Sequence, residues 1–231
     1  MVPRRLRLIA AIAALVCVLA ACTPSKYEFT SNKKLGVYLK VPKSWNQVSQ
    51  DELFGLYAEG NKQPSEEAFQ ILKQVVWERA WDSSPKPALN HFVLGEADAP
   101  VARVNVRTLT DDQRDTMSTA ALKNLALGAY SENLEGFTEL LRNPGTADLV
   151  SADFIPLVDE ELQENGHFGV RQLFEARNTT DESLYMIGFI GLVDDARTRL
   201  YTLTVHCNRR CYVANQGSID KVLDSFTVRK P

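Results

Sequence analysis

The sequence predicts an α+β fold, in which an antiparallel β-sheet is covered by helices. Two observations predict it. After about residue 150, four strand-like segments follow one another with short polar connections, and short connections force neighbouring strands to pair antiparallel. Segments with apolar residues at helical spacing lie before and after this run. The chain has 231 residues, 45% of them hydrophobic, which is enough for one sizeable core.

The N-terminus has the layout of a secretory signal peptide. Arg4, Arg5 and Arg7 precede an unbroken apolar run over residues 8–21, and Cys22 directly follows small residues. A cysteine in this position resembles a bacterial lipoprotein lipobox, which implies cleavage before Cys22 and acylation of its thiol and amine. As a helix, the apolar run spans only about 21 Å against a hydrocarbon core of about 30 Å, which disfavours a permanent transmembrane helix.

Secretion without lipid and an uncleaved anchor are the alternatives to lipidation. The arginine pair also fits a twin-arginine signal, but a third arginine close behind it favours the general secretory route. We divide the chain into a lipoprotein signal peptide at 1–21, a lipidated tether at 22–34 and a single α+β domain at 35–231. The predicted location is the extracytoplasmic face of the cell membrane, where the acyl chains on Cys22 anchor the protein.

The net charge limits the classes of partner that we expect. The formal net charge is −3, and loss of the three signal-peptide arginines takes it to −6. No basic patch dominates the sequence, so we expect neither nucleic acid as a partner nor a polybasic contact with lipid.

Two cysteines remain outside the signal peptide and the lipobox, Cys207 and Cys211. In an oxidising compartment we expect them to form a disulfide. A continuous strand would hold their Cα atoms about 13 Å apart, whereas a helical turn holds them about 6 Å apart, so the strand has to end near Cys207. Two free thiols or a metal site with His206 are the alternatives, although His206 and Cys207 would point to opposite faces of a strand.

Four elements of the first half follow from local patterns. The segments Tyr27–Thr30 and Leu35–Val41 read as strands, the second ended by Pro42. Val101–Leu109 alternates apolar and polar residues and predicts a half-buried strand. Residues 112–131 have the spacing of an amphipathic helix.

The three tryptophans are the candidate binding residues of this half. Residues 64–82 predict a helix, because a proline and two acids open it and apolar residues recur at helical spacing. Trp77 and Trp81 then lie on one helix face, and Trp45 lies at the edge of the core. The three side chains either line a ligand groove or pack in the core, and the core is the favoured interpretation.

The second half predicts a β-meander followed by a helix and a closing strand. The helix covers residues 210–224 and the strand 225–228. The four strands of the meander are Phe154–Leu162, Gly169–Arg177, Leu184–Val193 and Arg199–His206.

The order of these elements resembles a known family. An early strand pair ends in Val41-Pro42-Lys43-Ser44-Trp45, a meander follows, and the last helix runs into Asp224-Ser225-Phe226. This arrangement is similar to the PsbP/Mog1-like α/β/α sandwich, including actinobacterial lipoproteins of that type, over about residues 26–229. The resemblance implies helices on both faces of the antiparallel sheet. The resemblance implies a non-enzymatic accessory or binding domain and supplies no catalytic set.

The sequence offers no catalytic or cofactor motif. It has neither the Gly-x-Ser-x-Gly nor the His-Glu-x-x-His pattern. Gly55–Lys62 resembles a phosphate-binding loop, but Asn61 stands where the lysine belongs. His91, His167 and His206 are scattered, and we expect surface or core roles for them. No catalytic residue, metal or cofactor is therefore predicted.

Together these features predict a membrane-anchored, non-enzymatic interaction or scaffold domain at the cell envelope, with another envelope protein as partner. The alternative is a binding module for a hydrophobic or cell-wall ligand held between sheet and helix. A hydrolase is the third hypothesis, and it requires a cleft that joins His91 or His167 to an acid.

Overall fold

In the computed structural model of the chain, the residues described are 25–59, 66–92, 97–128, 154–177 and 182–230. The predicted signal peptide and the predicted lipidation site at Cys22 lie outside these ranges. Within them, every helix is too short or too polar to cross a bilayer.

The strands and helices follow the chain in an order that begins and ends with short strands. The strands of the first half are β1 (Tyr27–Asn32), β2 (Val37–Pro42), β3 (Asn46–Val48), β4 (Val76–Asp82) and β5 (Val101–Thr108). Those of the second half are β6 (Phe154–Glu164), β7 (His167–Arg177), β8 (Leu184–Asp194), β9 (Arg199–Asn208) and β10 (Thr227–Val228). The α-helices are α1 (Gln50–Glu59), α2 (Glu66–Val75), α3 (Asp111–Thr116), α4 (Thr119–Gly128) and α5 (Arg209–Ser225).

The described strands form two sheets with antiparallel pairing throughout. The large sheet has seven strands in the order β3-β4-β5-β9-β8-β7-β6. The small sheet has three, in the order β1-β2-β10. The predicted α+β class with an antiparallel sheet is therefore confirmed.

Helices cover both faces of the large sheet. We call the side that packs on α5 and the small sheet face one, and the side that packs on α1 and α4 face two. Successive side chains of strand β8 alternate between face one and face two. A Cβ on Gly188 would lie 2.6 Å from a methyl group of Leu223 in α5, so glycine lets this helix approach closely. Its neighbours Ile187 and Phe189 pack on face two.

Face one contains the largest hydrophobic cluster. It joins β2, the middle of β5 and β9, and the inner side of α5. Burial of each large apolar side chain contributes about 1.5–3 kcal/mol, so this layer dominates the stability of the domain. Its members include Leu39, Trp81, Val104, Leu203 and Val222.

The prediction of a helix over residues 64–82 is wrong in its second half. Helix α2 ends at Val75, and the chain continues directly into strand β4. In β4, Trp77 and Trp81 alternate with Glu78 and Ala80, which face the other side. Aromatic residues fit strands well, and β4 is bonded on both sides, to β3 and β5, so tertiary pairing overrides the helical spacing.

The predicted helix over 112–131 is two helices in its described part. Thr110 caps α3 and accepts a hydrogen bond from the Gln113 amide, in a capping box. The chain then turns at Met117, and the Ser118 hydroxyl accepts a hydrogen bond from the Ala121 amide at the start of α4. A serine at this position favours a new N-terminus over a continuous helix.

The N-terminal part of the fold agrees with the sequence at one element and adds two others. Strand β1 confirms the strand predicted at Tyr27–Thr30 and extends it to Asn32, within the segment assigned to the tether. Strand β3 and helix α1 were not predicted. At the start of helix α1 the Ser49 hydroxyl and the Ser49 amide both donate hydrogen bonds to the Glu52 carboxylate, and these bonds lower the pKa of that carboxyl.

Candidate functional site

The one tryptophan that reaches a surface pocket is Trp77, among the described residues. Strand β4 turns its side chain to face one, opposite Val106 of β5, at the end of the sheet where β4 begins. The pocket beside it holds about 170 Å³. We call it the Trp77 pocket; its lining includes Leu35, Lys73, Val75, Trp77, Val106 and Arg199.

The surroundings of the Trp77 pocket combine apolar surface with fixed cations. Ile71 and Val75 lie one turn apart on α2 and are 54% and 42% exposed. The Lys73 ammonium bonds the Asp51 carboxylate at 2.8 Å, and the Arg79 guanidinium lies 5.7 Å from the centre of the Trp77 ring. An aromatic floor with apolar and arginine neighbours is the composition of protein-binding hot spots.

The other two tryptophans lie in the core. Trp81 is fully buried and Trp45 is 8% exposed, and both belong to the cluster on face one. Trp77 and Trp81 do share a face, as predicted, but it is the face of a sheet. Two of the three tryptophans therefore pack in the core, and the third, Trp77, lies at a surface pocket.

A second pocket of about 200 Å³ lies where the β6–β7 and β8–β9 hairpins end. His167 lines it, with its ring Nδ1 bonded to the Asn165 carbonyl at 3.0 Å and its ring edge against Tyr201. Asp194 also lines it, but its oxygens accept bonds from Thr198 and Arg199 at the hairpin turn. These contacts explain both side chains as parts of the turn architecture.

The His91 ring contacts an acidic side chain, as the hydrolase hypothesis requires. Its Nδ1 lies 2.7 Å from the Asp82 carboxylate, which is fully buried and also accepts from the Ser84 and Ala88 amides. The arrangement fixes the loop after β4 to the sheet. Neither pocket is lined by His91.

His206 is buried beside this pair. Its Nε2 lies 3.2 Å from the His91 carbonyl. Burial lowers the pKa of His206 to about 4, so the ring is neutral at pH 7.

The two cysteines lie at disulfide distance, as predicted. The sulfur atoms of Cys207 and Cys211 are 2.19 Å apart and the Cα atoms 5.9 Å apart. Strand β9 ends at Asn208, whose side chain accepts a hydrogen bond from the Cys211 amide and caps α5. His206 points to face two and Cys207 to face one, so they do not converge, and no metal-binding group of His, Cys, Asp or Glu occurs in the described ranges.

No basic run stands out in the sequence, but the fold brings basic residues from two distant stretches together. Residues 25–43 and 221–230 together carry eight basic and two acidic residues. Strand β10 pairs with β2 and brings these two stretches into one sheet. The basic residues are therefore gathered by the fold, although they are dispersed in the sequence.

The chain matches no protein family and no curated protein by sequence. Solved structures similar to it include the cyanobacterial PsbP (CyanoP) of Synechocystis sp. PCC 6803, at 14% identity and a TM-score of 0.46, covering 90% of this chain and 95% of that one. Another is LpqN of Mycobacterium tuberculosis, described as involved in cell envelope biogenesis, at 10% identity and 0.42, covering 88% and 91%. The Ran-binding protein Mog1p of Saccharomyces cerevisiae matches at 12% identity and 0.40, covering 89% and 96%.

Proposed function

We propose that this protein is a lipid-anchored accessory domain on the extracytoplasmic face of the cell membrane, and that it binds another envelope protein without catalysing a reaction. The lipobox-like segment before Cys22 supports the anchor. The cysteine pair at disulfide distance supports an oxidising compartment.

The observation that carries the binding role is the Trp77 pocket. Its volume of about 170 Å³ suits one side chain of a partner rather than a whole small molecule, because ligand pockets usually hold about 300–1,000 Å³. Ile71 and Val75 extend the apolar surface beside it. We expect an aliphatic or aromatic side chain of the partner protein to enter the pocket.

The same volumes disfavour the alternative of a hydrophobic or cell-wall ligand held between sheet and helix. Trp45 and Trp81 fill the space between β4 and the layer above it, and the two pockets described are open and small. A lipid-sized ligand requires a larger cavity than either.

Site-specific photo-crosslinking in intact cells tests the binding role. A photoreactive residue at position 71 should crosslink one envelope protein, and the same residue at position 155 serves as the control, because Ile71 and Ile155 are equally exposed. We expect Val75→Asp to reduce the crosslink about fivefold or more, since it places a charge in the pocket. Equal crosslinking at both positions, or a yield indifferent to Val75→Asp, contradicts the proposal.

The anchor has its own test. Cys22→Ala should release the domain from membranes or stall its processing, because the acceptor thiol is absent. Mass spectrometry of the mature N-terminal peptide measures the acyl groups directly. Unchanged membrane association and mobility in the variant would refute the lipobox.

A further inference from the structure

The outer side of the small sheet has a composition unlike that of its inner side. Strand β2 sends Val37, Leu39 and Val41 into the core on face one. Side chains alternate along a strand, so Tyr38 and Lys40 point outward. The register with β1 and β10 then fixes which of their residues join this outer side.

Cations lie over aromatic rings along this outer side. We call the set of six the aromatic–basic face: Lys40 lies 5.2 Å from the ring centre of Phe29, Lys221 lies 5.5 Å from that of Tyr27, and Arg229 lies 5.0 Å from that of Tyr38. The distances are those of cation–π contacts. Phe29 is 76% exposed, the largest fraction among the exposed large apolar side chains described.

Charge around the aromatic–basic face is strongly one-sided. Lys26 and Lys43 are exposed where β1 begins, and a backbone bond of 3.0 Å joins them. Against eight basic residues, three acids lie in or next to these stretches: Glu28, Asp224 and Asp220, which accepts a hydrogen bond from the Tyr212 hydroxyl at 3.5 Å. Asp224 is paired with Arg171 at 2.7 Å, and Glu28 lies on the other side of β1. The mature chain as a whole is net negative, so the basic residues here form a local surface of opposite sign.

The chain geometry places this surface near the predicted anchor. Tyr27 is five residues after Cys22, and five extended residues span at most about 18 Å. A link this short gives a high effective concentration of lipid headgroups at the face, so a weak contact is sufficient to orient the domain.

We infer that the aromatic–basic face is a second membrane contact, which lies against anionic lipid headgroups with Phe29 entering the interface. This inference rests on the anchoring part of the proposed function. Lysine and arginine are attracted to anionic lipids, and aromatic rings favour the headgroup region. The ligand chemistry is therefore a phosphate-bearing lipid surface.

Fluorescence of the lipidated full-length mature protein in vesicles tests the contact. The protein is inserted into phosphatidylcholine vesicles with or without about 30 mol% phosphatidylglycerol, each containing brominated acyl chains. Phe29→Trp reports the face and Ile155→Trp reports a distant exposed site; the three native tryptophans are common to both. We expect quenching at position 29 to be about threefold greater with phosphatidylglycerol, and to fall in about 1 M NaCl. Quenching at position 155 should not change.

Charge reversal supplies the matched comparison. Lys40→Glu with Lys221→Glu should reduce quenching at position 29 to the phosphatidylcholine level. Lys86→Glu with Arg210→Glu makes the same change in net charge at two exposed positions elsewhere and should leave it unchanged. Equal effects of the two pairs, equal quenching at positions 29 and 155, or indifference to phosphatidylglycerol overturns the inference. Binding of a soluble polyanion without binding of vesicles also overturns it.

Absence of the lipid anchor can be distinguished from absence of the second membrane contact. If the N-terminal peptide carries no acyl group, the protein is recovered in solution, and the proposed anchoring is wrong. Sedimentation of the soluble form with the same vesicles then decides the face by itself. Binding that requires phosphatidylglycerol and is lost only in the Lys40/Lys221 pair supports the inference, and absence of binding refutes it.

Discussion

The aromatic–basic face and the edge strand β6 are both exposed β-structure with apolar side chains, but their charges are opposite. On the first, Phe29 is 76% exposed among cations. On the second, Ile155 and Leu157 are each 54% exposed, and the strand carries four acids and no basic residue.

The backbone explains why similar exposure has different meanings in the two regions. Strand β6 is the end of the large sheet and pairs only with β7 among the described strands. Pro156 and a register shift between Pro156 and Val158 interrupt its outer edge, and the acids after them repel a second copy. These are the features by which proteins protect edge strands from pairing. The aromatic–basic face includes β1, the edge strand of the small sheet, but it is formed by side chains that point outward from that sheet, and its charges favour a negatively charged surface.

The largest expected contrast in stability is between the core beneath the aromatic–basic face and the surface of β6. Leu39→Ala should cost about 2–5 kcal/mol, because Leu39 is 1% exposed and a cavity forms beneath the small sheet. Ile155→Ala should change the free energy of unfolding by less than about 0.5 kcal/mol. Urea unfolding of both variants measures the difference. Comparable losses would mean that β6 is packed as firmly as β2.

Low pH acts on buried His206, and a variant at this position isolates its contribution to stability. Well above pH 6.5 His206 is neutral in both the folded and the unfolded state; as the pH falls through 6.5 towards about 4, the unfolded chain binds a proton that the folded domain excludes. The free energy of unfolding therefore falls by about 3 kcal/mol as the pH drops from above 6.5 to about 4. Unfolding of His206→Gln, measured from pH 7 to 4, should lack this loss. Parallel curves for variant and wild type would assign the pH dependence to surface carboxylates instead.

The elements that the sequence predicts well are those with local signals. The four strands of the meander and the last helix occur close to their predicted places, because short polar turns and alternation determine them. Even the cysteine pair follows from counting and geometry. The segment 76–82 fails because its apolar spacing fits a helix as well as a strand, and only pairing with β3 and β5 decides between them.

Both surfaces of interest depend on information that is not local. Lys40 and Lys221 are 181 positions apart, so no charge run reveals the aromatic–basic face. The β2–β10 pairing brings them together. In the same way, Trp77 and Trp81 share one face of β4, but Trp81 is fully buried whereas Trp77, at the end of the sheet, lines a pocket. Composition alone gives three tryptophans and a mildly acidic chain, and reveals neither surface.

Reduction of the cysteine pair should act on α5, the helix that carries Lys221, and leave β6 unaffected. Closing so short a loop stabilises the fold by about 2 kcal/mol in the chain-entropy model. Wild-type protein should lose this amount on reduction, whereas a variant with Cys207→Ala and Cys211→Ala should be insensitive to the reductant. Alkylation of either cysteine without prior reduction would show that no bond forms.

Neutralisation of the β6 acids should have the smallest effect on stability. It is also the sharpest test of the contrast between β6 and the aromatic–basic face. Glu160→Thr with Glu161→Thr should change the free energy of unfolding by no more than about 0.5 kcal/mol, because both side chains are exposed. Threonine favours strands, and without the acids the regular half of β6 becomes a free pairing edge, so self-association should increase. Light scattering over a concentration series measures it. Lys40→Thr with Lys221→Thr is the matched control and should not raise the molecular mass, because Lys40 lies on the central strand β2 and Lys221 on helix α5. An increase in both pairs, or in neither, would mean that charge on β6 does not control pairing and that Pro156 and the bulge are sufficient.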